Sequence, residues 1–156
     1  MIRKLQKSDR EQLIKLFWEF TKNSQKNFIA EDLGEFHQYK DQEVTYNKDA
    51  DDYCAGKLVV FVVEEGDKLV GYSAAKITEK PERVLDKEAY IEDWFVEENY
   101  QGRGIGEKLF DVLLEELKKM GCTHVRLDAF TTNQKVIDIY HKYGFIDNTI
   151  EMYKKL

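Results

Sequence analysis

Apolar residues recur along this chain with two spacings, and each spacing marks a kind of element. Leu13, Leu16, Phe17 and Phe20 lie three and four apart and predict a helix running to about Asn23. Ser8 is its expected N-cap, with Glu11 three residues on completing a capping box, and Ile2–Lys4 ahead of it reads as a short strand. Residues 31–52 read as one or two short helices around Leu33, Phe36, Tyr39 and Tyr53. Leu58–Glu64 is the β-branched run of a buried strand; Glu65-Gly66-Asp67-Lys68 turns the chain, and Leu69–Ile77 returns to make a hairpin. After a loop at Lys80-Pro81-Glu82, Ala89–Val96 is again a strand. Alternation sends Tyr90, Glu92, Trp94 and Val96 to one face and Ile91, Asp93 and Phe95 to the other.

Further on, Leu109, Phe110, Leu113, Leu114, Leu117 and Met120 mark a long amphipathic helix that Gly121 ends. A strand over His124–Phe130, a helix over Asn133–Lys142 stopped by Gly144, and strands at Phe145–Ile146 and Thr149–Lys155 complete the pattern. The order predicts an α/β fold, a single domain over residues 1–156. Its sheet is mixed, mostly antiparallel and twisted, with six to seven strands and four helices on both faces. Its strand-turn-helix element is the natural ligand site.

Composition narrows this picture without changing it. With 156 residues, 13% of them aromatic, the chain is long enough to bury a core without metal or disulfide staples. No apolar run nears the ~18 residues of a membrane span. The first ten residues lack the apolar stretch of a secretory signal. Cys54 and Cys122 stand apart, as reduced thiols do. The expectation is a cytoplasmic protein with no membrane partner and no metal. Charge says more. Residues 31–52 hold eight acids against two lysines, an imbalance equal to the whole net charge of −6. Such a field disfavours nucleic acid and favours a cationic partner, although a solvated helix face is the commoner cause of an acidic run.

Three glycines crowd into Gln101-Gly102-Arg103-Gly104-Ile105-Gly106, between a strand and the long helix. Glycine lets backbone approach a ligand closely, and the free amides of a helix start, at the positive end of its dipole, favour an anion such as a pyrophosphate. The turn is not a Walker A loop, because Glu107-Lys108 follows Gly106, nor a dinucleotide fingerprint, which needs glycine at 107. It fits [Gln/Arg]-x-x-Gly-x-[Gly/Ala], as Gln101, Gly104 and Gly106.

With its flanks, Tyr90-Ile91-Glu92-Asp93-Trp94-Phe95-Val96 before and Asn133, Tyr140 and Gly144-Phe145 after, this turn resembles the GNAT superfamily of acetyl-CoA-dependent N-acetyltransferases. The order of elements carries the resemblance over the whole chain. Two positions depart from the family's habit, Glu98 where proline is common and Val136 where alanine is; both are structural preferences. The resemblance implies transfer of acetyl from acetyl-CoA directly to a primary amine. It implies that Gln101, Gly102, Arg103, Gly104, Ile105 and Gly106 hold the pyrophosphate. The backbone of Phe95 and Val96, beside a β-bulge, together with Asn133 and Tyr140, would hold the rest of the cofactor. Homodimers are common in the family, so two-fold pairing is a further expectation.

Tyr140 matches the family's general acid: a phenol with pKa ~10 stays protonated beside a departing thiolate. The plainer reading is that Tyr140 only packs, along with Tyr143. Glu92 and Asp93 are adjacent acids in an apolar strand, which is costly unless they face water or a site. Glu92 is the candidate base, through water, and Asp93 the candidate holder of a cationic acceptor with Trp94 beside them; surface ion pairs are the alternative. Asn133 suits a helix N-cap on structural grounds alone. Arg103 and Lys108 either add charge to the turn or face solvent. Ile91–Val96 looks particularly like the strand of the spermidine/spermine (diamine) acetyltransferase branch, which implies a small cationic amine or polyamine as acceptor. A non-catalytic acyl-CoA sensor or interaction module, and transfer to a protein amine or an aminoglycoside, are the rival readings.

Overall fold

Five strands make one sheet, in the spatial order β1-β2-β3-β4-β5, in the computed structural model, which describes Met1 to Leu156. They are β1 (Ile2–Lys4), β2 (Val59–Glu65), β3 (Lys68–Glu79), β4 (Lys87–Val96) and β5 (His124–Arg126). Neighbours are antiparallel except β4 and β5, which are parallel. The α-helices are α1 (Arg10–Asn27), α2 (Gln42–Cys54), α3 (Ile105–Lys119) and α4 (Gln134–Lys142), with 3-10 stretches at Lys7–Asp9, Glu31–His37 and Glu98–Tyr100.

The sheet separates two cores. On one face, Leu109, Phe110, Leu113 and Leu117 of α3 are fully buried against Val63, Val70, Ala75 and Ile91. On the other, Leu13, Leu16 and Phe17 of α1 and Tyr46 and Ala50 of α2 pack on Val62, Leu69, Tyr72 and Phe95. Each such large side chain contributes roughly 1.5–3 kcal/mol of burial. Gly121 and Gly144 end α3 and α4 at φ +80° and +87°. The amides that follow them bond back, Cys122 to the Leu117 carbonyl at 3.0 Å and Phe145 to that of Tyr140 at 3.0 Å.

Four details differ from the sequence expectation. The first helix is entered through a 3-10 turn, Lys7–Asp9, and Asp9 rather than Ser8 or Glu11 organises it. The Asp9 carboxylate accepts the Gln6 amide at 2.8 Å and the Arg3 guanidinium at 2.7 and 3.0 Å. A buried acid with a bidentate arginine outcompetes an exposed hydroxyl as the anchor. The sheet has five strands, not six or seven. Residues 145–156 form none, because pairing on β5 stops at Arg126 and leaves them no ladder to join. Ile146, Ile150 and Met152 are 89%, 74% and 84% exposed, so their alternation buries nothing.

The remaining differences concern β4. Ala74 lies opposite Asp93 and Ala75 opposite Ile91, so Glu92 is an extra residue, a β-bulge. Alternation fails there: Ile91, Trp94 and Val96 share the α3 face, while Glu92, Asp93 and Phe95 share the α1–α2 face. The parallel pairing of β4 with β5 covers only Glu88–Tyr90 against His124–Arg126. Past Tyr90 the two strands part, and β4 runs on without a neighbour on that side.

Candidate functional site

The glycine turn joins β4 to α3 as a cradle of unpaired amides. Gly102 and Gly104 sit at φ +73° and +72°, a left-handed backbone that other residues rarely adopt. The first backbone bond into α3 is Lys108 N–H to Gly104 O at 3.2 Å, so no backbone carbonyl accepts from the amides of Gly102 to Glu107. A Cβ on Gly102 would meet nothing within 4 Å. These groups, at the positive end of a fifteen-residue helix, fit a pyrophosphate. Gln101 donates Nε2–H to the Val96 carbonyl at 2.8 Å and ties the turn to the end of β4. Arg103 bonds the Asn99 carbonyl at 2.9 Å and stays exposed.

The divergence of β4 from β5 leaves the backbone of residues 91–96 open along one edge, where an extended amide-bearing chain such as pantetheine finds a ladder of donors and acceptors. Gln101 already takes the Val96 carbonyl on this edge. Trp94 lies on the α3 side, stacked on Phe110 at 4.6 Å and donating Nε1–H to the Gly106 carbonyl at 2.9 Å. Gly106 leaves room for that ring, since a Cβ there would stand 3.5 Å from it. Trp94 is thus across the sheet from both Glu92 and Asp93, whereas alternation put it on the face of Glu92 and the expected acceptor site put it beside both; it braces the turn.

Tyr140 of α4 packs among Trp94, Phe110 and Phe145 at 5.7, 6.0 and 5.6 Å. Its hydroxyl bonds to no protein group. Burial pushes its pKa to about 12. Tyr143 points elsewhere, its hydroxyl donating to Asp111 at 2.8 Å. Asn133 caps α4, its side chain accepting the Val136 amide at 3.3 Å.

On the α1–α2 face a cavity of about 230 Å³ opens beside β4. Its walls are aromatic, Phe17 and Phe20 from α1, Tyr46 and Tyr53 from α2, Tyr72 from β3 and Tyr39; its charges are Asp49, Glu92 and Asp93. The bulge is what brings both acids of β4 to one side. None of the three carboxylates has an ion-pair partner, unlike the exposed acids nearby. Asp93 accepts the Tyr53 hydroxyl at 2.6 Å. Burial raises the Asp93 pKa to about 6 against the opposing effect of that bond, with the Glu92 charge raising it further. Burial likewise raises Glu92 and Asp49.

The acidic segment therefore divides. Asp51 pairs with Arg10, Asp52 with Lys57 and Glu35 with Lys155, while Asp41 caps α2 through the Val44 amide. Of its eight acids, Asp49 alone lines the cavity. Sequence reasoning did not single out Asp49 or Tyr46 and read Tyr53 only as a helix marker, although Tyr46, Asp49, Ala50 and Tyr53 share one helical stripe. Tyr72, inside an apolar strand, carried no such signal.

Comparison with known proteins supplies context. Over 98 residues the chain is 32% identical to the glucosamine 6-phosphate N-acetyltransferase of Arabidopsis thaliana, covering 62% of this chain and 64% of that one. It is 31% identical over 83 residues to the spermine/spermidine N(1)-acetyltransferase of Bacillus subtilis, 52% of this chain and 54% of the relative. The matched stretches thus span less than two thirds of these relatives. Among solved structures, that of the Arabidopsis thaliana glucosamine-6-phosphate N-acetyltransferase has a TM-score of 0.68 at 27% identity, covering 99% of this chain and 97% of that one. The BH1408 protein of Bacillus halodurans has the same fold, with a TM-score of 0.80 at 22% identity over 100% of this chain and 99% of that one. The profile of the Acetyltransferase (GNAT) family matches residues 10–145, and with it the glycine turn, the splayed strand and the helix of Tyr140: this chain belongs to the GNAT acetyltransferase family.

Proposed function

We propose that the protein transfers the acetyl group of acetyl-CoA to a primary amine of a small cationic molecule. The observation that carries the choice of acceptor is the cavity: three unpaired carboxylates within aromatic walls suit an ammonium group, through charge and cation–π attraction. A phosphorylated amino sugar would meet three negative charges there and no lysine or arginine. About 230 Å³, the volume of roughly eight water molecules, takes a small amine or the end of a longer one. The resemblance to a polyamine acetyltransferase points the same way, since two or more cationic nitrogens would answer the surplus of acids.

Acetyl-CoA supplies the acetyl thioester. The amides of Gly102 to Glu107, with Arg103 beside them, bind its pyrophosphate, and the open backbone edge of Phe95 and Val96, with Asn133, aligns its arm. Asp93 attracts the ammonium form of the acceptor. The attacking nitrogen must be neutral, and Glu92, beside it on the bulge, draws the proton off through water. Proton transfer from an ammonium of pKa ~10.4 to an ordinary glutamate carboxylate is uphill by about six units, or ~8 kcal/mol. Burial of the acids lessens that gap. The nitrogen–acetyl bond forms as the carbon–sulfur bond breaks, the sulfur leaves with the bonding pair, and the proton shed by the acetylated nitrogen neutralises the thiolate. Tyr140, protonated throughout the physiological range, donates a hydrogen bond to the departing sulfur. Complete transfer from a phenol at about 12 to a thiolate whose acid has pKa ~8.5 is uphill, so stabilisation of charge is its main contribution.

An amine panel with acetyl-CoA, followed by release of free CoA thiol, tests the proposal. Turnover with di- and polyamines is expected; turnover confined to neutral amines, or none with any amine, overturns it.

A further inference from the structure

Asp93 is not held by its own strand. The hydroxyl bonded to it at 2.6 Å belongs to Tyr53, in the last turn of α2, forty residues away. That phenol is itself fixed: Phe17 of α1 meets the Tyr53 ring edge-on at 5.3 Å and the Tyr72 ring at 5.4 Å, wedged against both. The Tyr72 hydroxyl is wholly buried and makes no hydrogen bond. Every titratable group facing Asp93 is acidic or phenolic: Asp49, Tyr46 and Tyr53 on α2, Tyr39 ahead of it, Tyr72 on β3 and Glu92 on β4. The α1 side adds only Phe17, Phe20 and Thr21. With no cation present, the Tyr53 hydroxyl is the main protein group that steadies Asp93 as an anion, and the Tyr72 phenol assists it more weakly from β3.

We propose that Tyr53 is a positioning residue: its hydroxyl orients Asp93 and keeps it ionised, so that α2 sets the strength with which the cavity takes a cationic amine. The kinetic side of this rests on the acetyl-transfer reading above; the titration side does not. A hydrogen bond to a charged group stabilises it by about 1.5–3 kcal/mol, which is about one to two pH units of carboxyl titration. Loss of the hydroxyl leaves only the weaker influence of Tyr72 against burial, and Asp93 becomes neutral nearer to working pH. A cation then loses its partner while the glycine turn, on the other side of β4, is untouched.

The test begins with ¹³C-carboxyl NMR titration of the ligand-free protein and Tyr53→Phe, with the Asp93 signal assigned through Asp93→Asn. The Asp93 midpoint is expected to rise by about one to two units in Tyr53→Phe; coincident midpoints overturn the proposal. With spermidine as probe, the acidic limb of kcat/KM should move up equally and the amine KM rise about two- to tenfold at pH 7, the KM for acetyl-CoA staying constant. A shifted carboxyl with unchanged amine KM also overturns it. Should no amine be acetylated, the acetyl-transfer reading fails while the titration still decides the role of Tyr53. Should Tyr53→Phe not fold, the ¹³Cζ signal of Tyr53 in the unaltered protein must follow the Asp93 midpoint; a signal indifferent to it refutes the link.

Discussion

Replacing Asp93 by asparagine should stabilise the ligand-free protein while damaging amine binding. An ionised Asp93 is disfavoured in the fold, because burial lifts its pKa from 3.8 to about 6. Just over two units at 1.36 kcal/mol each is about 3 kcal/mol, and solvent reaching the partly exposed carboxylate lowers this to about 1–3 kcal/mol. Since the folded pKa lies above the unfolded one, the penalty is absent below about pH 4, grows as pH rises, and is complete above about pH 6. Asparagine never ionises and still accepts the Tyr53 hydroxyl through its carbonyl. For a chain of 156 residues, 1 kcal/mol is about 3 °C in Tm. Asp93→Asn is thus expected to melt about 3–9 °C higher than the parent at pH 8, with the gap closing toward pH 5. Scanning calorimetry from pH 5 to 8 reads both curves. Parallel curves, or a less stable variant at pH 8, would refute the claim that burial of this charge is a cost.

Further outcomes follow from the same geometry. Tyr140→Phe should lower kcat by about 10²–10³-fold with little change in the KM for acetyl-CoA, as steady-state kinetics would show. Gly104→Val should abolish acetyl-CoA binding by calorimetric titration, because a branched residue cannot hold φ +72° and the amide cradle would be lost. Asp49→Asn should raise the KM for a cationic amine several-fold, whereas Glu31→Gln, Asp32→Asn and Glu43→Gln, all exposed and outside the cavity, should leave it unchanged. Equal effects from both sets would mean that the acidic segment acts as a diffuse field.

Legibility in the sequence followed the range of the interaction. The stripe Leu109–Leu117, the Gly66 hairpin and the glycine stops at 121 and 144 depend on neighbours along the chain, and all stand where the pattern puts them. Asp9 took the helix start because Arg3 reaches it from a different element, which spacing alone does not reveal. The tail failed as strand because a strand needs an edge, and the length of β5 is a tertiary fact. At the site, the glycine turn was readable because its conformational demand is local. The cavity was not: its charges come from α2 and a bulge, and its walls from four elements. The whole excess of −6 looked like one feature, yet half of those eight acids answer to lysines, an arginine or a helix cap.

The single extra residue at Glu92 acts as a frameshift in three dimensions. Upstream of it odd-numbered side chains of β4 face α3; downstream, even-numbered ones do, so one strand is read in two phases by two cores. Deleting Glu92 alone would return the strand to plain alternation with Asp93 still opposite Ala74 and Trp94 still beneath α3, whereas an unbulged strand that kept Glu92 would turn Trp94 away and bring Asp93 into that apolar layer. The strand should therefore keep its two cores better after loss of Glu92 than after loss of Trp94 or Phe95, although an acid of the cavity goes with it.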